Sequence, residues 1–325
     1  MSNPRIDVVI PVYNGARFLE KAVLSAVRQT LAPARILICD DGSTDETPEI
    51  AKRLADAFPV VEHLRLEHRG EASARNGGLR AATGDYVAFL DADDVWMPSK
   101  LQAQMDVFAR ADARVGVVHC GYWLIDEQGT PIEDRYVAAP SRRGDVFRDI
   151  LLDDYAVSGS ASAVVVRRAV LDRVGFFDER LFHGADADMW LRLAYVSHFD
   201  FAPEPLVALR VHGSSAQRAN ARAKAIDFFM QQLIFYEKWQ EVAGSDPAFL
   251  ANLRRRALLL MLPSVTEPGR LEALYEALRS HDSPLARSLF ASRIDLWGAF
   301  ASMLGRYGLW RLRRLFLNDR SRFIG

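Results

Sequence analysis

Three carboxylates fall within four positions in Leu90-Asp91-Ala92-Asp93-Asp94, directly after the apolar run Tyr86-Val87-Ala88-Phe89. Residues two apart at the end of an extended segment point to the same side, so Asp91 and Asp93 pair as hard oxygen donors. Such a pair suits Mg²⁺ or Mn²⁺, ions that keep positions open for the oxygens of a bound phosphate. The plain alternative is a solvated acidic turn. An EF-hand calcium loop is excluded: counted from Asp91, Trp96 stands where glycine is needed and Gln102 where glutamate is needed. Tyr13-Asn14 and Asp40-Asp41 end apolar runs of the same kind, and Asp186 and Asp188 precede Met189-Trp190-Leu191-Arg192. Either of the last two carboxylates is of a type that caps a helix.

The elements that must position these groups alternate. Ile6 to Ile10, Arg35 to Cys39, Val60 to Leu66 and Tyr86 to Leu90 have the content of buried strands. Between them, Phe18, Leu19, Ala22, Val23, Ala26 and Val27 recur at helical spacing, as do Ile50, Leu54 and Ala57, and Glu71 to Ala82 is helix-like. Ser43 and Glu46 have the spacing of a capping box, with Pro48 acceptable in a first turn. Alternation of this kind predicts a parallel sheet with helices on its faces, whose ligands bind beyond the carboxyl ends of the strands. Tyr13-Asn14, Asp40-Asp41 and Asp91-Asp93 all fall there, and three such clusters argue for one site. A dinucleotide fold is disfavoured, because Pro11-Val12-Tyr13-Asn14-Gly15 replaces G-x-G-x-x-G after the first strand.

Beyond Pro98 the pattern changes. Lys100 to Phe108 is expected as a helix, and Val115 to His119 and Tyr122 to Ile125 as two strands before a turn at Asp126 to Gly129. Ser162 to Val166 is expected as a strand, and Phe201 to Val211, with two prolines, as an edge strand at best. After Ser215 the composition turns helical. The chain thus divides near 216 into 1–216, with halves of about 1–98 and 99–216, and a helical region over 217–325.

The 325 residues are half apolar and 26% charged, with a formal net charge of −1, so nothing global points to nucleic acid. Cys39 and Cys120 are the only cysteines, too few for a disulfide framework or a CxxC zinc site, which fits a reducing cytosol. Neither a signal peptide nor a spanning apolar stretch is evident.

Taken in order over about 1–213, Val8 to Asn14, Asp40 to Asp45, Ala74-Arg75-Asn76, Leu90 to Asp94, Gly175 to Asp178 and Asp186 to Arg192 resemble the pattern of glycosyltransferase family 2. That resemblance implies a GT-A fold: a Rossmann-like, mostly parallel α/β sheet flanked by helices, here with a C-terminal helical region. It further implies an inverting transferase that moves a sugar from a nucleotide diphosphate to an acceptor hydroxyl. Pro11, Tyr13 and Asn14 would then line the nucleotide site. Asp41, with Asp40 beside it, would contact the base; a carboxylate only accepts, which suits the ring N–H of uracil, thymine or guanine. Arg75 would lie near the nucleotide. Asp93 would hold the metal, Asp91 would lie near the ribose or the same ion, and His212 stands where relatives carry a histidine near the diphosphate or metal. Asp186 matches the family's base. The family's usual preceding glutamate is Ala185 here, which leaves Asp188 as the competing candidate.

The expected partners are a nucleotide diphosphate sugar, UDP-linked by preference, and a saccharide or glycolipid acceptor, as in bacterial surface polysaccharide assembly. The stretch from Trp297 to Phe316 mixes arginines with tryptophans and leucines. This is the composition of a helix lying on the inner membrane surface or of one packed in its own domain. Two other functions fit part of this pattern: a nucleotide-sugar-binding protein without turnover, and a haloacid dehalogenase-like phosphohydrolase. The latter normally places its aspartate motif on the first strand, whereas three strands precede it here.

Overall fold

The computed structural model describes residues 4–137, 142–153, 160–181, 184–212, 225–243, 247–261 and 269–303. The chain divides into two compact units, Met1–Ser215 and Ala216–Gly325.

The first unit opens with β1 (Ile6–Val12), α1 (Leu19–Val27), β2 (Arg35–Asp40), α2 (Thr47–Ala57), β3 (Val61–Arg65), α3 (Glu71–Ala81) and β4 (Tyr86–Phe89). These strands lie in the order β3-β2-β1-β4, and every neighbouring pair is parallel. Each helix carries the chain back to the starting edge, so the residues that follow β1, β2 and β4 gather at the opposite edge. All seven residues of β1 are buried, because helices cover both faces of the sheet. Pro11 is tolerated inside this central strand for a specific reason. Val9 O accepts from Leu90 N and Val12 O from Asp41 N. Alternation therefore turns Pro11, which has no N–H to give, toward the side where β4 has already ended.

The unit continues with β5 (Val95–Trp96), α4 (Lys100–Arg110), β6 (Val115–Ile125), β7 (Pro131–Val137), α5 (Phe147–Asp153), β8 (Val165–Arg167), α6 (Arg168–Val174), α7 (Ala185–Val196) and β9 (His198–Arg210). The sheet extends as β4-β8-β6-β9-β5 with β7 beside β6, and this half mixes both pairing directions.

Four local expectations are corrected. Ser43 and Glu46 form no capping box: the Ser43 hydroxyl accepts instead from Asn14 N at 2.9 Å, and α2 begins at Thr47. The two strands expected over 115–125 are one, β6, with irregular pairing at Gly121 absorbing the break. Ser162 lies in a 3₁₀ turn, Ala161–Ala163, and the strand follows it. The segment expected as an edge is β9, paired to β6 on one side and β5 on the other. Its prolines are accommodated where the register jumps from Cys120↔Ala202 to Gly121↔Pro205, a bulge that needs no ladder donor from Pro203 or Pro205.

The second unit contains α8 (Ala225–Ala243), α9 (Pro247–Met261), α10 (Arg270–Ser280), α11 (Pro284–Ser288) and a further helix over 293–303. Phe229, Leu233, Tyr236, Phe249, Leu253, Leu274, Leu278 and Phe300 are buried, whereas Ile294 and Trp297 are exposed. The part of the arginine-rich stretch beyond residue 303 lies outside the described residues. No helix among those described is long and apolar enough to cross a membrane.

Candidate active site

The loops after β1 and β2 are tied together by side chains from both, Asn14 from one and Ser43, Asp45 and Thr47 from the other. Asn14 adopts a left-handed backbone, φ 49°. Its Oδ1 accepts from Thr44 N at 2.8 Å and Asp45 N at 3.3 Å. Gly15 N in turn donates to the Thr47 hydroxyl at 2.9 Å. Next to this knot the Tyr13 ring is 47% exposed and stacks on His68, centroids 4.0 Å apart.

Asp40 and Asp41 are both buried. Asp40 Oδ1 accepts from Ser43 N at 2.8 Å and so turns the loop. Asp41 Oδ1 accepts from Arg69 N at 2.9 Å; its Oδ2 accepts from Gly70 N at 2.9 Å and from His68 Nδ1 at 2.8 Å. A carboxylate offers about four acceptor positions, so the loop before α3 already takes most of them.

Arg75 is the cation at the centre of the site. It is buried on α3, and its NH2 donates both to Glu71, one turn earlier, and to Asp91 Oδ1 at 2.8 Å. Its Nε is buried with no hydrogen-bond partner among the described residues, and the guanidinium lies 5.5 Å from the Phe177 ring centroid. Burial works against the Arg75 charge, but Glu71, Asp91 and Asp186 outweigh it and raise its pKa. The Asp186 carboxylate therefore lies within electrostatic reach of the same cation that holds Asp91. Arg75 draws the Glu71 carboxyl down, yet desolvation together with Asp91, Asp186 and Asp93 pushes it up on balance. The Glu71 side chain is 57% exposed, and water screens part of that effect.

The three aspartates after β4 have separate surroundings. Asp91 N donates to the Ser162 hydroxyl at 2.9 Å, which fixes the backbone while the carboxylate turns to Arg75. Asp93 Oδ2 accepts from His212 Nε2 at 2.9 Å, and this side chain is 33% exposed. Desolvation and Asp91 raise the Asp93 pKa against the pull of His212. Asp94 is buried, accepting from Arg210 N at 2.9 Å and from the Ser162 hydroxyl at 2.6 Å. Burial, with Asp93 and Asp91 beside it, holds its carboxyl well above the usual range. Asp94 thus clamps the loop to β9. Arg210 completes the clamp by donating to Asp93 O at 2.8 Å.

Asp186 and Asp188 part company on α7. The helix is entered through Gly184 in the left-handed region, and neither aspartate is its N-cap. Asp188 is fully buried and paired with Arg192 at 2.8 Å. Arg192 also donates to Val174 O and Phe176 O, so this pair fastens the Gly175-Phe176 turn. Asp186 is partly exposed in the first turn and, among the described residues, accepts only from its neighbour Ala187 N, at 2.8 Å.

Glu71, His68, Ser162 and Arg210 were not singled out in the sequence. Glu71 was accessible to it, four residues before Arg75 and hence one helical turn away. The other three reach the site only through tertiary pairing. Buried thiols are excluded from the chemistry: burial pushes Cys39 up to about 12 and Cys120 up to about 11. A cavity of about 420 Å³, lined by Thr83, Asp85, Tyr86, Arg167 and Arg168, lies at the starting edge of β4, and none of the aspartates above lines it.

A parallel β3-β2-β1-β4 half, a mixed second half and a carboxylate-rich strand edge define a GT-A fold, the fold of nucleotide-sugar transferases. Residues 7–175 match the family model described as Glycosyl transferase family 2. An uncharacterised glycosyltransferase of Rickettsia prowazekii is 32% identical over 260 residues, 77% of this chain and 79% of that one. Mannosyltransferase PcManGT from Pyrobaculum calidifontis, solved in complex with GDP-Man and Mn²⁺, superposes with a TM-score of 0.57 at 23% identity. That match covers 98% of this chain and 86% of the other. S. aureus TarS 1-349 in complex with UDP-GlcNAc gives 0.58 at 15% identity, covering 98% and 94%. Against a longer TarS chain the match spans 54% of it. The chain belongs to glycosyltransferase family 2.

Proposed function

We propose that the protein transfers a sugar, with inversion, from a nucleotide diphosphate sugar to an acceptor hydroxyl in the assembly of a surface polysaccharide or glycolipid. The observation that carries this reading is Arg75. One buried cation joins Asp91, on the donor side, and lies within reach of Asp186, the one partly exposed carboxylate on α7 aimed at no cation of its own helix. The donors held by the two structural neighbours, GDP-Man and UDP-GlcNAc, support a nucleotide sugar, and the Mn²⁺ of the mannosyltransferase supports a divalent ion.

Asp93 and His212 are the residues that would hold such an ion. Their oxygen and nitrogen already meet at 2.9 Å, and the Asp93 side chain is open to solvent on one side. Among the described residues no three-residue ligand group forms. Two protein donors with the remaining positions left to phosphate oxygens match how Mg²⁺ and Mn²⁺ bind nucleotides. When bound, the ion offsets the charge that develops on the departing diphosphate. Arg75 holds Asp91 in place, which favours the ribose side for Asp91 over direct ligation. Tyr13 offers an exposed ring face for the base. Inversion requires attack from the face opposite the diphosphate, so the proton of the acceptor hydroxyl must go to a base across the site. Asp186 takes it. Asp188 does not, since Arg192 occupies it.

Thermal melting of the full chain with nucleoside diphosphates, with and without Mn²⁺, tests the reading. UDP with Mn²⁺ should raise the melting temperature, and Asp93→Ala should abolish that rise while staying folded. Equal stabilisation by UDP in excess chelator contradicts the metal assignment.

A further inference from the structure

Glu71 has no role in the account above, yet it faces the same site. It opens α3, and its side chain is 57% exposed while the Arg75 guanidinium it contacts is 7% exposed. Arg75 NH2 donates to Glu71 Oε1 and to Asp91 Oδ1 at once. The two carboxylates are therefore only two hydrogen bonds apart. Glu71 Oε2 makes no hydrogen bond among the described residues. Asp91 already pairs with Arg75, and an i,i+4 partner whose own side chain is 57% exposed adds only a few tenths of a kcal/mol to a helix. Stability therefore does not account for the placement.

Chemistry narrows what the free oxygen can receive. A carboxylate only accepts. Arg75 acts on Glu71 most strongly, but its charge is shared with Asp91, and Asp91, Asp186 and Asp93 together leave the neighbourhood rich in negative charge. A phosphate oxygen is repelled there, whereas a neutral hydroxyl donates to Oε2 and relieves the crowding. Pinning of Oε1 by a buried arginine fixes the direction of Oε2 in advance, which reduces the ordering cost of binding. The buried Nε of the same guanidinium has no hydrogen-bond partner among the described residues, so the cluster has a donor as well as an acceptor to offer.

Resting on the transferase reading above, we infer that Glu71 is a specificity-determining residue that accepts a hydrogen bond from a hydroxyl of the donor's sugar. It shares the Arg75 guanidinium with Asp91 and lies within electrostatic reach of both Asp93, on the metal side, and Asp186, the base, and so faces the sugar held between them.

The test is calorimetric titration of the full chain with Mn²⁺. The probes are UDP and whichever of UDP-glucose, UDP-galactose, UDP-GlcNAc and GDP-mannose stabilises the wild type most. Glu71→Gln should bind free nucleoside diphosphate as the wild type does and lose about ten- to hundredfold in affinity for the sugar nucleotide, the scale of one hydrogen bond to a charged group. Monodeoxy analogues of that sugar nucleotide give a readout without any variant. One of them should bind the wild type correspondingly more weakly, and Glu71→Gln should no longer distinguish it from the parent. Equal loss for nucleoside diphosphate and sugar nucleotide overturns the inference, since Glu71 then acts only through Arg75. Unchanged donor binding overturns it too, including when the KM for acceptor alone rises. If the wild type binds no nucleotide or sugar nucleotide, the transferase reading fails, and this inference with it.

Discussion

At the scale of single residues, the division of labour between Asp186 and Asp188 separates catalysis from structure. Asp186→Asn should lower turnover by roughly 10²- to 10⁴-fold, the usual share of a general base, with nucleotide-sugar affinity unchanged. Asp188→Asn should instead lower the melting temperature. It leaves Arg192, 18% exposed, without its carboxylate, and breaking such a pair costs about 3 kcal/mol. Near-normal turnover in Asp186→Asn would refute the assignment. The sequence presented these two residues as rivals, because spacing places both at the start of a helix. What separates them is Arg192 reaching back one turn to one and not the other. The role of Asp94 was not legible for a similar reason: its partners, Ser162 and Arg210, are 68 and 116 residues away in the chain.

At the scale of elements, the strand-and-helix order of residues 6–89 was legible from apolar runs and their spacing, since parallel strands covered on both faces leave continuous hydrophobic signatures. Close packing was not legible. A Cβ at Gly78 would sit 2.5 Å from Val9 Cγ1 and 2.8 Å from Cys39 Sγ, so α3 lies against β1 and β2 with no space to spare. Gly78→Ala should therefore destabilise the protein by about 1–3 kcal/mol in a urea melt, or displace α3 and with it Arg75. An unchanged midpoint together with unchanged activity contradicts this. The β9 bulge was hidden because two prolines in a strand ordinarily mark an edge. On β6, burial lowers His119 to about 3, and its ring packs against Phe199 and Phe201. A histidine held neutral in the folded state takes up a proton on unfolding, so its contribution falls as pH drops from about 6.5 toward 3. Between pH 7 and pH 5 the wild type should lose about 2 kcal/mol more than His119→Leu. Parallel pH profiles of the two proteins would rule this out.

At the scale of the whole molecule, one edge of one sheet collects residues that are as far apart in the chain as Tyr13 and His212. The gathering follows from the parallel crossovers of the first half and from β9 returning beside β6 and β5 in the second. The sequence carried the first part of that logic through the position of each cluster at a strand's end. It could not show that Arg75 would join them, because the partners of a helical arginine depend on how the helix docks. The central claim is transfer of a sugar from a nucleotide, and the most direct measurement is release of nucleoside diphosphate from a panel of UDP- and GDP-sugars. It is followed with Mn²⁺ and with excess chelator, for the wild type, Asp93→Ala and Asp186→Asn. The account predicts release by the wild type with Mn²⁺ only, none by Asp93→Ala, and release slowed at least a hundredfold in Asp186→Asn, which still binds the donor. Release that persists undiminished in chelator or in Asp186→Asn contradicts it.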